Sequence, residues 1–321
     1  MSTLIGQDLE TAAQNLRNGE LVAIPTETVY GLAANAFDVE AVAKIFEAKN
    51  RPSFDPLIVH THSIAEVSKF TQNFPSKAQK LAEKFWPGSL TILLPKNQLI
   101  PDLVTSGLKT VAVRIPNHPL TLELLKSLDF PLAAPSANPF GYISPTTALH
   151  VEAQLEGKVS YIIDGGYCRV GIESTIIEVQ EEKTTIYRLG GISVEEIRTE
   201  IGEIEEVRHS SSNPKASGML KSHYAPTTPF IIGDIASLSK DYDAQKIGVL
   251  AFNALQENVA EEHQVVLSKS GDLAEAAQHL FAGMRYLDTL DVEVILTELL
   301  PEEGLGRAIN DRLRRAATTK K

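Results

Sequence analysis

Residues 21–60 read LVAIPTETVYGLAANAFDVEAVAKIFEAKNRPSFDPLIVH. The apolar run Leu21 to Ile24 stops at Pro25, and Thr26, Glu27 and Thr28 follow before the turn marker Gly31. That order predicts a buried strand running into a polar loop, a usual place for a ligand. Val39, Val42, Ala43 and Phe46 then recur at helical spacing, and the helix gives way to Lys49-Asn50-Arg51-Pro52. A second apolar strand, Leu57 to Val59, finishes on His60. A polar loop, a cationic loop and an imidazole therefore lie close enough in the chain to line one cleft.

On the N-terminal side, Leu9, Ala12, Ala13 and Leu16 predict an amphipathic helix over 7–18, closed by Gly19. On the other side, helices are expected over Ile64 to Phe70 and Ser76 to Phe85, the second stopped by Trp86-Pro87-Gly88, and then a strand from Leu90 to Leu94. The segment VTSGLKTVAVRIP turns at Gly107 and alternates Val111, Val113 and Ile115 on one strand face. Arg114 falls on the opposite face, where an isolated arginine is ordinarily a surface residue. HPLTLELLKSL is helical, and PLAAPSANPFGYISPT is a strand breaking into a loop rich in hydroxyl and amide donors. A helix from Thr147 to Leu155, the strand of YIIDGG, the strands of GIESTIIEV and TTIYRLGGIS, and a helix capped by Ser193 with Glu196 complete the region. Alternating strands and helices over 1–202 predict an α/β domain on a twisted sheet.

Residues 203–229 lack apolar periodicity, are dense in Ser, Pro and Lys, and read as a linker. Beyond them, FIIGD, KIGVLAFN and HQVVLS are three short apolar strands among the helices AEAAQHLFAGMRYLDTL and GRAINDRLRRAA. Residues 230–321 therefore read as a smaller, doubly wound βαβ domain.

A chain of 321 residues suits two domains, and 43% hydrophobic with 22% charged residues is the balance of a globular protein. No apolar run reaches membrane-spanning length and the first residues lack a signal-peptide pattern, so a cytoplasmic location with no membrane contact is expected. The one cysteine, Cys168, makes no internal disulfide and reads as structural. A formal charge of −11 argues against broad attachment to nucleic acid, so any RNA connection is expected to be weak or indirect. The basic tail RLRRAATTKK reads as a solvated helix end.

Walker A, full GxGxxG, HExxH and GxSxG patterns are all missing, and GLGRAI near Gly304 supplies only half of a dinucleotide fingerprint. The candidate constellation is Lys49, Arg51, Arg114 and Arg188 as cations, with Ser136, Asn138, Ser144 and Ser174 as hydrogen-bonding groups. Several arginines on separate strands suit planar anions, and a triphosphate carries more charge than one cation neutralises. The same spacing also fits independent surface salt bridges, and both readings stand at this point.

PTETVYGL, KNRP, PLIVH, WPGSLT, TVAVRIP, APSAN, STI and YRLG, followed by SGMLKSHYAP and GLGRAINDRLRRAA, resemble the motifs of the Sua5/YrdC/YciO family, and the last two those of its longer Sua5-type members. The resemblance implies a YrdC-like catalytic domain and a smaller Rossmann-like C-terminal domain. It implies a nucleotidyltransferase that joins L-threonine, bicarbonate or CO2, and ATP into threonylcarbamoyl-adenylate with release of pyrophosphate. That is the first step of the t6A modification of tRNA, and the product would pass to downstream t6A transferase proteins.

The resemblance assigns Lys49, Arg51, Asp55, Thr110, Ser136, Asn138, Ser144, Arg188 and Tyr224 to ATP, and Thr28, His60, Arg114, Ala134 and Ser174 to L-threonine, with Arg114 on the carboxylate. Mg2+ is expected to arrive with ATP, held mainly by its phosphates and not by a protein metal site. Asp55 stands where many relatives carry asparagine, and a carboxylate near phosphates needs a cation between them. His60 is the candidate base, with substrate positioning as its other role, and no covalent nucleophile is required. The linker with Tyr224 is expected to cover the cleft and keep water from a labile product. Two competing readings are an RNA-binding module of the YrdC/YciO type without synthase activity, and a carbamoyl-transfer domain like that of hydrogenase maturation proteins. The latter would bring zinc-finger cysteines that this chain does not have.

Overall fold

In the computed structural model, which describes residues 3–180, 183–207, 214–219 and 223–318, the chain falls into two units. The first comprises Met1–Phe140, Pro145–Arg169 and Glu173–Leu220. The second comprises Gly141–Ser144, Val170–Ile172 and Lys221–Lys321. Among the described residues no helix is long and apolar enough to cross a membrane.

The strands of the first unit are β1 (Leu4–Gly6), β2 (Val22–Ile24), β3 (Gly31–Asn35), β4 (Ile58–His60), β5 (Leu90–Pro95), β6 (Thr110–Arg114), β7 (Leu132–Ala133), β8 (Tyr161–Ile163), β9 (Thr175–Val179), β10 (Thr184–Arg188) and β11 (Glu205–Glu206). They form one mixed sheet in the order β1-β8-β2-β3-β7-β4-β6-β5-β9-β10-β11. The helices are α1 (Leu9–Arg17), α2 (Val39–Lys49), α3 (Ile64–Phe70), α4 (Ser76–Phe85), α5 (Asp102–Thr105), α6 (Pro119–Ser127), α7 (Ala148–Leu155) and α8 (Val194–Ile201).

Because side chains alternate across a strand, each buried strand feeds two layers. Ala23, Leu32, Val59, Ile92, Val113 and Ile177 enter the main core with Val42, Ile45 and Phe46 of α2 and Leu81 of α4. On the other face, Val22, Ile24, Ala33, Leu132 and Ile163 pack against Leu16 of α1 and Leu124 of α6. Further along that face, Ile58, Leu93, Ala112 and Ile176 are covered by Ala216 and Met219. The segment 214–219, part of the range expected to be a linker, is thus laid on the sheet.

Three departures from the sequence reading have structural causes. Gly31, expected to mark a turn, opens β3, which pairs antiparallel with β2, so residues 25–30 form the loop of a hairpin. A Cβ on Gly31 would stand 3.2 Å from the Ala134 side chain, so the glycine serves close strand packing. The short strands β1 and β11, two or three residues long at the sheet edges, and the four-residue α5 are too brief to generate a period. Arg114 is 3% exposed instead of facing solvent. The range 203–229 also includes 208–213 and 220–222, which lie outside the described residues.

The second unit contains β12 (Phe230–Ile232), α9 (Ile235–Leu238), β13 (Ile247–Ala251), β14 (Gln264–Val266), α10 (Leu273–Asp288), β15 (Val294–Thr297) and α11 (Gly306–Ala316). Its sheet is parallel in the order β12-β15-β13-β14. The interior strand β15, from the run VEVILTELL, is not among the three strands that the sequence predicts; four buried residues between two helical patterns are easily absorbed into either. Ile247, Val249, Val294 and Leu296 pack with Ile235, while Leu280, Phe281 and Met284 of α10 and Leu313 of α11 are buried as well, as a parallel sheet requires. Tyr224, at φ +64, stacks on Phe281 at 5.4 Å between ring centroids, with the Arg312 guanidinium carbon 5.4 Å from its ring centre. Arg285 donates from Nε to the Ser144 carbonyl at 3.2 Å and from Nη2 to that of Ile143.

Candidate active site

The cationic loop is made by how α2 begins and ends. Asp38 caps its first turn, accepting from the Glu40 and Ala41 N–H groups. Asn50, at φ 50, is the left-handed cap that stops it, so Lys49 and Arg51 lie on either side of a sharp bend. Both are buried, at 1% and 6% exposure, which rules out the surface salt bridges that spacing alone allowed. Lys49 Nζ donates to the carbonyls of Ser136 and Asn138, each at 2.5 Å. Burial, then the charge of Arg51, holds the Lys49 ammonium well below its ordinary pKa.

Arg51 bends back on its own loop, donating from Nε to the Asp55 carbonyl at 3.0 Å and from Nη2 to that of Pro56 at 2.9 Å. Its Nη2 also donates to Ser217 Oγ at 3.1 Å and lies 2.9 Å from Asp55 Oδ2. Asp55 therefore faces a guanidinium, which answers the electrostatic difficulty of a carboxylate at this position. Burial pushes its carboxyl up, while the charges of Arg51, Lys49 and Arg188 pull against that shift. Arg188, at the end of β10, donates to the Ser174 carbonyl at 3.0 Å, the Ser174 hydroxyl at 3.0 Å and the Ser217 carbonyl at 3.2 Å. The Ser174 hydroxyl in turn shares a hydrogen bond with Thr91 at 2.7 Å.

Strand β4 connects this cluster to a second one. It starts just after Asp55 and Pro56 and ends at His60, which pairs in register with Arg114 on β6. Arg114 donates from Nε to the Gly88 carbonyl at 3.1 Å and from Nη1 to Thr28 Oγ1 at 2.8 Å, and its Nη2 lies 2.7 Å from Glu27 Oε1. Thr28 is fixed through its shared hydrogen bond with Thr26 at 2.8 Å. Burial, then the Arg114 charge, pushes the His60 imidazole down to about 3. It is neutral at pH 7 and a poor proton acceptor, with Nδ1 3.2 Å from the Ile58 carbonyl.

Thr110 begins β6 at the end opposite Arg114, is half-buried and pairs with Pro95 of β5. Ala134 donates its N–H to the Ile58 carbonyl at 2.9 Å, and Ser136, in the loop after β7, forms an isolated antiparallel bridge with Gly31. Ser144 and Tyr224 belong to the second unit. Glu27, Thr91 and Ser217 join the site although the sequence reading gives none of them a ligand role. Glu27 had a signal, the acidic residue between two threonines in the polar loop after a buried strand; Thr91 was the polar residue inside LTILL, and Ser217 opens the motif SGMLKSHYAP. Cys168 is buried, with its thiol pushed up by burial, in keeping with a structural role. Among the described residues no group of three or more His, Cys, Asp and Glu is arranged to hold a metal ion.

The Sua5–YciO–YrdC family model, described as telomere recombination, matches residues 14–190, and a model described as the C-terminal domain of threonylcarbamoyl-AMP synthase matches residues 192–318. The chain is 42% identical to the threonylcarbamoyl-AMP synthase of Pyrococcus abyssi, over 96% of this chain and 94% of that protein. It is 40% identical to that of Bacillus subtilis, over 95% of this chain and 92% of the relative. The crystal structure of P. abyssi Sua5 complexed with L-threonine superposes with a TM-score of 0.91 at 39% identity, over 99% of this chain and 98% of that one. With both models matched in sequence and the fold shared end to end, the chain belongs to the Sua5–YciO–YrdC family and carries the C-terminal domain of its threonylcarbamoyl-AMP synthases.

Proposed function

We infer that this protein is a threonylcarbamoyl-AMP synthase, joining L-threonine, bicarbonate or CO2, and ATP into L-threonylcarbamoyladenylate and pyrophosphate. The observation that carries the reading is the charge balance at the start of β4: three buried cations, Lys49, Arg51 and Arg188, act on one buried carboxylate, Asp55. Such an excess of buried positive charge suits a polyanion, and a triphosphate is the polyanion this reaction requires.

We assign Lys49, Arg51, Thr110, Ser136, Asn138 and Arg188 to ATP, with Asp55 acting through Arg51. Ser144 and Tyr224, in the second unit, are assigned to the nucleotide on their motifs alone. Thr28, His60, Arg114, Ala134 and Ser174 are assigned to L-threonine, whose carboxylate suits the Arg114 guanidinium. His60 then positions the amino acid and does not take its proton.

Mg2+ enters with ATP; the acid nearest the phosphate side, Asp55, is turned toward Arg51, so the donor set favours an anion and leaves the metal to the phosphates. When bound there, the ion would offset negative charge on the leaving pyrophosphate. The protein's own task is positioning: the N-carboxylate formed from the threonine amine and CO2 attacks the α-phosphorus while pyrophosphate leaves, and the cations hold that charge. The chemistry needs no covalent nucleophile. Its labile product is handed to downstream t6A transferase proteins.

Incubating the protein with ATP, Mg2+, bicarbonate and each amino acid in turn, and measuring pyrophosphate, tests the reading. Release that depends on both L-threonine and bicarbonate is expected; release indifferent to the amino acid would overturn it.

A further inference from the structure

Glu27 is a buried carboxylate, 3% exposed, that binds together three separate loops. Its Oε1 accepts from Ser89 Oγ at 3.0 Å, its Oε2 accepts from the Asn117 N–H at 2.9 Å, and Arg114 Nη2 stands 2.7 Å from Oε1. Glu27 and Thr28 come from the hairpin loop between β2 and β3, Ser89 precedes β5, and Asn117 follows β6. Arg114 is gripped from the same directions, by Gly88 through Nε and by Thr28 through Nη1.

Each guanidinium carries five N–H groups in a rigid fork. With Nε on Gly88, one Nη1 proton on Thr28 and Glu27 facing Nη2, an N–H remains on each terminal nitrogen, which is the pair a carboxylate can take side by side. Both oxygens of Glu27 are held by Ser89 and Asn117 independently of Arg114, so this carboxylate is part of the scaffold and not a stand-in that substrate displaces. Burial works to raise its pKa, but the charge and hydrogen bond of Arg114 and the Asn117 N–H outweigh it and keep the group ionised.

We infer that Glu27 is a positioning residue for the amino-acid substrate: it locks the Arg114 guanidinium so that its remaining edge meets the α-carboxylate. The inference rests on the assignment of Arg114 to that carboxylate. Glu27 also makes the pair neutral, so the site holds the amino acid through directed hydrogen bonds and not through an uncompensated buried charge. Without Glu27 the guanidinium is free to turn toward other oxygens, and substrate must reorient it on binding.

The test compares wild type, Glu27→Ala, Glu27→Gln and Arg114→Gln by L-threonine titration calorimetry and by steady-state pyrophosphate release. Glu27→Ala is expected to raise the KM for L-threonine at least about tenfold while the KM for ATP stays within about twofold. Glu27→Gln, which keeps an acceptor for Arg114 and Ser89, is expected to recover part of the loss. The inference is overturned if both variants bind L-threonine within about twofold of wild type, or if the KM values for ATP and threonine rise together, the mark of a general structural role. Should Glu27→Ala fail to fold, the threonine-selective loss in Glu27→Gln decides alone, in either direction. A wild-type protein that does not bind L-threonine, or an Arg114→Gln protein that binds it undiminished, would instead overturn the underlying assignment and the inference with it.

Discussion

Asp55 Oδ2 lies 2.9 Å from Arg51 Nη2 in an ion pair closed off from water, the two side chains 0% and 2% exposed. The Arg51 guanidinium is also held by two backbone carbonyls, so the carboxylate sets charge more than position. Asp55→Asn should therefore have two opposite effects. Leaving the buried cations less compensated costs stability, by up to about 3–5 kcal/mol. The same change raises the positive potential that a polyphosphate meets, so ATP binds more tightly and shifts the melting temperature by more than it does in wild type. Thermal unfolding with and without ATP measures both, and weaker ATP binding by the variant would sink this account.

Lys49 separates stability from activity in a different way. Its ammonium is buried against two carbonyls, and its pKa is lowered by burial first. Lys49→Met keeps the length and apolar stem while removing a charge that is costly to bury, so stability should change by no more than about 1–2 kcal/mol, in either direction. Turnover should fall about a hundredfold or more through kcat/KM for ATP, since the cation assigned to the phosphates is lost. Calorimetry beside pyrophosphate release checks the split; a variant that melts early yet keeps its activity would assign Lys49 to the fold and not to the substrate.

His60 gives a pH dependence with a definite sign. Its folded pKa of about 3 lies below the ordinary value of 6.5, so the folded protein keeps the ring neutral where the unfolded chain protonates it. The stability associated with the neutral ring is complete above pH 6.5 and is lost progressively as pH falls toward 3. Between pH 7 and pH 5 the loss is about 2 kcal/mol. His60→Gln should lose correspondingly less over the same interval, as followed by urea unfolding at the two pH values. Equal losses in both proteins would show that His60 titrates normally.

Elements long enough to repeat a period were legible before the structure: α1, α2, α4 and α8 lie where apolar spacing and caps put them, down to the box formed by Ser193 and Glu196. What escaped depends on partners distant in the chain. β3 begins at a glycine because Ala134 needs the room, and β11 exists because β10 offers it an edge. In the candidate site, residue types and order pointed to cations for an anion, and the motif resemblance sorted them between two substrates. The burial of Arg114 was not legible, because an arginine on the second face of a strand is buried or exposed according to what covers that face. Glu27 decides the matter here, and its link to Arg114 spans residues far apart in sequence.

The segment 214–219 supplies the last expectation. Met219 and Ala216 are buried against Ile58, Leu93, Ala112 and Ile176, the apolar stretch of the face that carries His60 and Arg114. Ser217 between them accepts from Arg51 through its hydroxyl and from Arg188 through its carbonyl. Apolar docking should dominate this arrangement, since truncating a buried methionine costs roughly 2 kcal/mol or more, whereas one neutral hydroxyl contributes about 1 kcal/mol. Met219→Ala should then loosen the segment, raising the KM for ATP about tenfold and speeding proteolysis near Lys215, with little change in global melting temperature. Ser217→Ala should change the KM for ATP by no more than about fivefold. If Ser217→Ala proved the more damaging of the two, the contact with the arginines, and not the apolar seat, would be what holds the segment over the site.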